Sequence, residues 1–176
     1  MDSSGPRSSC WASITASIRG WAGSSRSREI SLGRIIPAAR ADELVIELST
    51  LSPQMYETLA TAAAQRGVAF LACPVLGSVD GARAGTLTLL PGGTSQAFEC
   101  GRELLGAMGS TIKFTGSPAA SGHLKLAYNS MLCVNADAIG ELLGIMGRAG
   151  VDRTLAIDAL VRALERVATK RRKDVE

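Results

Sequence analysis

ELVIELSTLSPQMYETLATAAAQRGVAFLACPV, residues 43–75, reads as a strand, a helix and a second strand. ELVIELS (43–49) is a short apolar run bounded by charge and by Ser-Thr, the pattern of a strand buried on both faces of an α/β sheet. Ser52 is placed to cap a helix whose first position is Pro53, where a missing N–H costs nothing. That alanine-rich helix runs to Arg66 and stops at Gly67. VAFLACPV (68–75) is then the second buried strand.

The alternation continues outward from this unit. GSVDGARAG (77–85) reads as a glycine-spaced loop, TLTLL (86–90) as a third strand, and Pro91-Gly92-Gly93 as its end. Thr94 opens a helix to about Met108, and STIKFT (110–115) makes a fourth strand. Strands alternating with helices predict a largely parallel sheet of three to five strands, flanked by helices. After Gly116 the period changes. Leu124, Tyr128, Met131, Leu132, Ile139, Leu142, Leu143 and Met146 recur at helical spacing with no strong stop between Pro118 and Arg148. A helix of ~30 residues is about 45 Å long, which marks the passage into an all-helical segment. Gly150 ends it, and Asp152 is placed to cap the next helix, which runs into the charged tail.

Composition narrows the function classes. A net charge of +3 is too mild to argue for nucleic acid, and KRRK (170–173) at the tail reads as a solvated helix end. Cys10, Cys73, Cys100 and Cys133 are widely spaced and only one histidine is present, so no metal site is expected and reduced thiols are the simpler reading. No stretch approaches the ~18 uninterrupted apolar residues of a membrane span, so no membrane role is expected. Residues 1–34 are rich in serine, glycine and arginine, with only Asp2 and Glu29 as acids and no usable hydrophobic period. They read as a disordered or non-homologous leader without packed contacts. The cytoplasm is the expected location, or an organelle if that leader acts as a transit peptide.

Four motifs in one order carry a family resemblance: Ser49-Thr50-Leu51-Ser52-Pro53, then Cys73-Pro74-Val75-Leu76-Gly77-Ser78, then GTLTLLPGG (85–93), then GSPAASGHLKLAYN (116–129). Together, over roughly residues 40–168, they resemble the β-hydroxyacid dehydrogenases, which include 3-hydroxyisobutyrate dehydrogenase and the more distant 6-phosphogluconate dehydrogenase. The resemblance implies an NAD(P)-dependent oxidoreductase, with NAD or NADP as cofactor and a small hydroxy acid or semialdehyde as substrate. It implies the second half of a Rossmann-like domain over 35–116, a long interdomain helix, and the start of an all-α domain over 117–176.

Carried over residue by residue, the resemblance makes Lys125 the catalytic general acid/base and Asn129, one helical turn on, the residue that orients the substrate. Such a lysine works at neutral pH if burial or a nearby cation lowers its pKa. Ser49 and Thr50 match the turn beside the nicotinamide and its ribose; Gly77 and Ser78 match the substrate loop. The chain departs from the pattern at Leu76, where the family's carboxylate-holding serine stands. His123 reads as a helix-surface residue, and the long helix is the candidate homodimer surface. No GxGxxG occurs in the chain. The resemblance therefore implies a middle portion of the enzyme that binds cofactor no tighter than millimolar, with a catalytically inactive remnant or an interaction module as the alternative to an active dehydrogenase.

Overall fold

The computed structural model describes residues 11–15 and 28–173. Strand β1 (Trp11–Thr15) lies parallel to β2 (Glu43–Glu47), with Trp11 opposite Glu43 and Thr15 opposite Glu47. A π-helical turn, Ser31–Ile35, runs into Ile36–Ala38, and the two together are α1. Helix α2 (Pro53–Ala64) returns the chain to β3 (Ala69–Ala72), parallel to β2. The strand–helix–strand reading of 43–75 holds, with the expected caps: Ser52 Oγ accepts the Met55 N–H at 3.2 Å, Pro53 is the first helical residue, and Gly67 takes φ +70°.

Two short strands come next, β4 (Val75–Leu76) and, after α3 (Val79–Arg83), β5 (Thr88–Leu89). Then come β6 (Gly92–Gly93), α4 (Ser95–Met108), capped by Thr94, and β7 (Thr111–Ile112). The strands form two sheets: β1-β2-β3-β6, with only β6 antiparallel, and β4-β5-β7. Two differences from expectation stand out. The stretch 77–85 contains a one-turn helix rather than loop alone, because Ser78 Oγ accepts the Gly81 N–H at 3.2 Å. The strands expected at 86–90 and 110–115 shrink to two residues each and pair apart from β2 and β3.

Alternation across the strands explains the main sheet. Val45, Phe70 and Ala72 face α1 and α2, packing with Ile36, Leu51, Tyr56, Leu59 and Ala63. Leu44, Ile46, Leu71 and Cys73 face α4, packing with Ala97 and Leu105. Both faces are covered, so the strands read as unbroken apolar runs. Each fully buried leucine there contributes about 2 kcal/mol by removal from water.

The N-terminal expectation needs correcting where the structure describes that segment. Trp11–Thr15 is part of the sheet, Ser31 is wholly buried, and Leu32 and Ile35 pack against the α2-side core. A five-residue strand and a π-turn, with its i→i+5 bonding and more residues per turn, leave no 3.6-residue period to read. The rest of 1–34 lies outside the described residues. Cys100 is disulfide-bonded, against the expectation of reduced thiols, while Cys73 and Cys133 are free. Spacing along the chain says nothing about which sulfurs the fold brings together.

Helix α5 (Pro118–Arg148) is continuous through 31 residues, as its unbroken period predicts, and α6 (Arg153–Lys173) starts beyond Gly150, which takes φ +74°. Asp152 Oδ1 accepts the Leu155 N–H at 3.0 Å, as expected of the cap. The described chain forms two compact units, one ending at Ala127 and the other beginning at Tyr128. By length and composition alone, α5 is long and apolar enough to cross a membrane.

Candidate active site

The parallel strands β1, β2 and β3 all end at one edge of the main sheet, and the candidate residues of the first unit lie just past those ends. The ladder on β2 ends at Glu47, whose carbonyl accepts the Cys73 N–H at 2.8 Å. Ser49 and Thr50 come next, Ser49 buried and Thr50 exposed. Beyond the ladder, the Ser49 peptide groups are held by side chains. The Ser49 N–H donates to Glu47 Oε1 at 3.0 Å, and the Tyr56 hydroxyl donates to the Ser49 carbonyl. The other Glu47 oxygen accepts from Ser31 Oγ at 2.8 Å, so the wholly buried carboxylate ties α1 to the end of β2. Burial also holds the Tyr56 phenol well above its usual pKa, so it stays a donor.

At the end of β3 the chain passes Cys73 and Pro74 into Val75. Lys125 reaches this point from α5: its Nζ donates to the Val75 carbonyl at 2.8 Å. The lysine is half-buried, and that burial lowers its pKa from the ordinary 10.5. Two close contacts seat the start of α5. A Cβ on Gly122 would lie 3.0 Å from Pro53 Cα, so the helix backbone touches the first residue of α2. Buried Ser121 shares a 2.7 Å hydrogen bond with Thr115, beside Gly92, where a Cβ would fall 2.2 Å from the Ser117 carbonyl oxygen.

The structure thus brings Lys125 to Val75, directly before Leu76-Gly77-Ser78, and brings the start of α5 against Pro53, just after Ser49-Thr50. Gly77 takes φ +136° and its missing side chain leaves room for Leu87, whose Cδ2 a Cβ would meet at 2.8 Å. The Ser78 oxygen caps α3. Asn129 lies one turn beyond Lys125 in α5, half-buried, and falls in the second unit. His123 is exposed, as its reading as a surface residue implies. Among the described residues no group of histidine, cysteine and carboxylate side chains is placed to hold a metal. Sequence reasoning missed Glu47, Ser31 and Tyr56. The one available signal was a carboxylate inside the apolar run of β2.

A largely parallel sheet buried on both faces, with loops and a half-buried lysine at the carboxyl ends of its strands, has the architecture of the dinucleotide-binding class. Within that class the chain belongs to the family of the NAD binding domain of 6-phosphogluconate dehydrogenase, whose family model matches residues 23–116. That match begins inside the segment expected to be non-homologous. The mitochondrial 3-hydroxyisobutyrate dehydrogenase of Rattus norvegicus is 31% identical over 121 residues, which are 69% of this chain and 36% of the relative. The solved 3-hydroxyisobutyrate dehydrogenase of Mycobacterium tuberculosis, with L-serine, is 27% identical at a TM-score of 0.71, over 80% of this chain and 47% of that one. Psf3 in complex with NADP+ and 2-OPP is 25% identical at a TM-score of 0.72, over 85% of this chain and 51% of that one. The chain therefore spans about a third to a half of the length of these relatives.

Proposed function

We propose that the chain carries the lysine-bearing part of an NAD(P)-dependent dehydrogenase site that acts on a small hydroxy acid or semialdehyde. The observation that carries this reading is the position of Lys125: half-buried, with its pKa lowered by that burial, and held by the Val75 carbonyl at the carboxyl edge of the strands. The residues present fit a dinucleotide in one respect. The Ser49-Thr50 turn is at the edge where doubly wound sheets take such ligands, with Thr50 exposed. When bound, the nicotinamide accepts or supplies the hydride.

Lys125 handles the proton. As a neutral amine, Nζ takes the proton of the substrate hydroxyl on oxidation; as an ammonium it returns that proton to the carbonyl oxygen on reduction. A lowered pKa enlarges the neutral fraction near neutral pH. The Val75 carbonyl keeps Nζ aimed by accepting one of its protons. The peptide groups of Gly77 and Ser78 line the substrate. Leucine at position 76 offers no hydrogen bond there, so substrate polarity is met by the loop backbone.

Nuclear magnetic resonance titration with NADH and NADPH tests the reading. The expected result is saturable shifts of the Ser49 and Thr50 amides with a dissociation constant of millimolar order, about −4 kcal/mol. Saturating cofactor that leaves both amides unmoved overturns the reading.

A second reading, an interaction module built on α5, is favoured by one observation. Leu124, Met131, Leu132, Val134 and Ile145 are all exposed along that helix. In the dehydrogenase reading the same residues form the interface of a homodimer.

A further inference from the structure

Helix α6 concentrates the basic charge of the chain. Arg153–Lys173 holds seven basic and two acidic residues, a net +5, whereas the whole chain carries only +3. The helix dipole accounts for cations in the last turn, at 170–173, but not for Arg162 and Arg166 further back. At helical spacing Arg162, Arg166, Lys170 and Lys173 fall on one side, and they line a shallow recess there with Glu165 and Thr169. Asp158 pairs with Arg162 at 2.9 Å, which leaves Arg166, Lys170 and Lys173 in excess over Glu165. Opposite that side the helix is aliphatic. Ile157, Leu160, Val161, Leu164 and Val167 recur at the spacing of a single stripe. Leu160 is half-buried and the other four are exposed, Val167 by 62%. Among the described side chains of α6, only Ala156 is buried. Helices draw most of their stability from packing such a stripe, and this one leaves it in water.

A basic side backed by an aliphatic stripe fits a surface that is anionic and apolar at once. A nucleic acid would take the cations and leave the stripe in water. A protein groove is gripped chiefly through aromatic anchors, and the stripe has none. The headgroup layer of an anionic bilayer takes both: aliphatic side chains sink among the acyl chains, while long Arg and Lys stems reach back to the phosphates. We propose that α6 is a membrane-surface helix, lying in the interface of an anionic phospholipid bilayer with its aliphatic stripe inward. The inference is independent of the dehydrogenase reading. The run at 170–173, expected to be a solvated end, becomes the last basic turn of this helix. The expectation of no membrane role rested on the lack of a spanning segment, and a helix lying on a bilayer needs none.

Co-sedimentation of the full chain with sucrose-loaded vesicles tests the proposal, using phosphatidylcholine mixed with phosphatidylserine beside phosphatidylcholine alone. Partitioning onto the mixed vesicles is expected to be about tenfold stronger or more, and to weaken as salt is raised. Arg166→Gln with Lys170→Gln should lower it about tenfold. Leu164→Ala with Val167→Ala keeps the charge and favours helix, and should also lower it about tenfold. Partitioning that is absent, equal on the two vesicles, or left unchanged by either pair of substitutions overturns the proposal. A chain that binds a single-stranded oligonucleotide but not the vesicles is a nucleic-acid binder. A dimer that Leu164→Ala with Val167→Ala dissociates has its stripe covered by a second copy. Either of these results overturns the proposal as well.

Discussion

The ammonium of Lys125 donates to the carbonyl of Val75 at 2.8 Å, across 50 positions of sequence. Val75 is the first residue of β4, and Lys125 lies two turns into α5. The bond therefore joins the strand edge to the long helix. It is seated by the close approach of Gly122 to Pro53 on one side and by the Ser121–Thr115 bond on the other.

Burial lowers the Lys125 pKa in the folded chain below its unfolded 10.5, so between the two values the unfolded chain holds more protons. Stability contributed by this group rises with pH through that window and is lowest beneath it, where the lysine is charged in both states. Urea midpoints measured at increasing alkaline pH should show this rise, and Lys125→Met should lack it.

Lys125→Ala should leave the helix intact, since alanine favours helix and the lysine's neighbours in α5 are unchanged. Any hydroxy acid oxidation by the chain should fall about a hundredfold or more. Circular dichroism beside a rate assay separates the two effects, and an active, folded Lys125→Ala removes the lysine from the mechanism.

Gly92→Ala places a Cβ 2.2 Å from the Ser117 carbonyl oxygen and 2.3 Å from Ser121 Oγ. The backbone on the Ser117 side cannot yield without moving the start of α5. A loss of about 3 kcal/mol is expected from such overpacking, read from urea denaturation.

Burial pushes the Cys73 thiol up to about 12, whereas Cys133 is exposed on α5. Iodoacetamide applied to the native chain at mildly alkaline pH should modify Cys133 and spare Cys73, because the thiolate is the reactive form. Peptide mass analysis reads the outcome.

Met131 and Leu132 are 62% and 53% exposed on α5, the helix on which the proposed homodimer would form. Sedimentation should show a dimer whose dissociation constant rises about tenfold or more in Leu132→Glu. A monomer at every concentration overturns the homodimer.

Local chemistry was legible in the residues themselves. Ser52 with Pro53, Thr94 and Asp152 mark helix starts because a cap is set by its own side chain and the next three amides. Gly67 and Gly150 mark ends because a positive φ suits glycine, and the unbroken period of α5 is set by spacing alone. Lys125 and Asn129 stood out as a lysine and an amide one turn apart in an apolar run. Everything that depends on residues far apart in sequence was decided by the tertiary structure. Trp11–Thr15 is a strand because β2 is there to pair with it. Glu47 is tolerable in a core only because Ser31, sixteen positions away, and Ser49 meet its two oxygens. The lowered pKa of Lys125 exists only because α5 is laid against the end of β3, withdrawing from water a group that its own sequence neighbours would leave solvated.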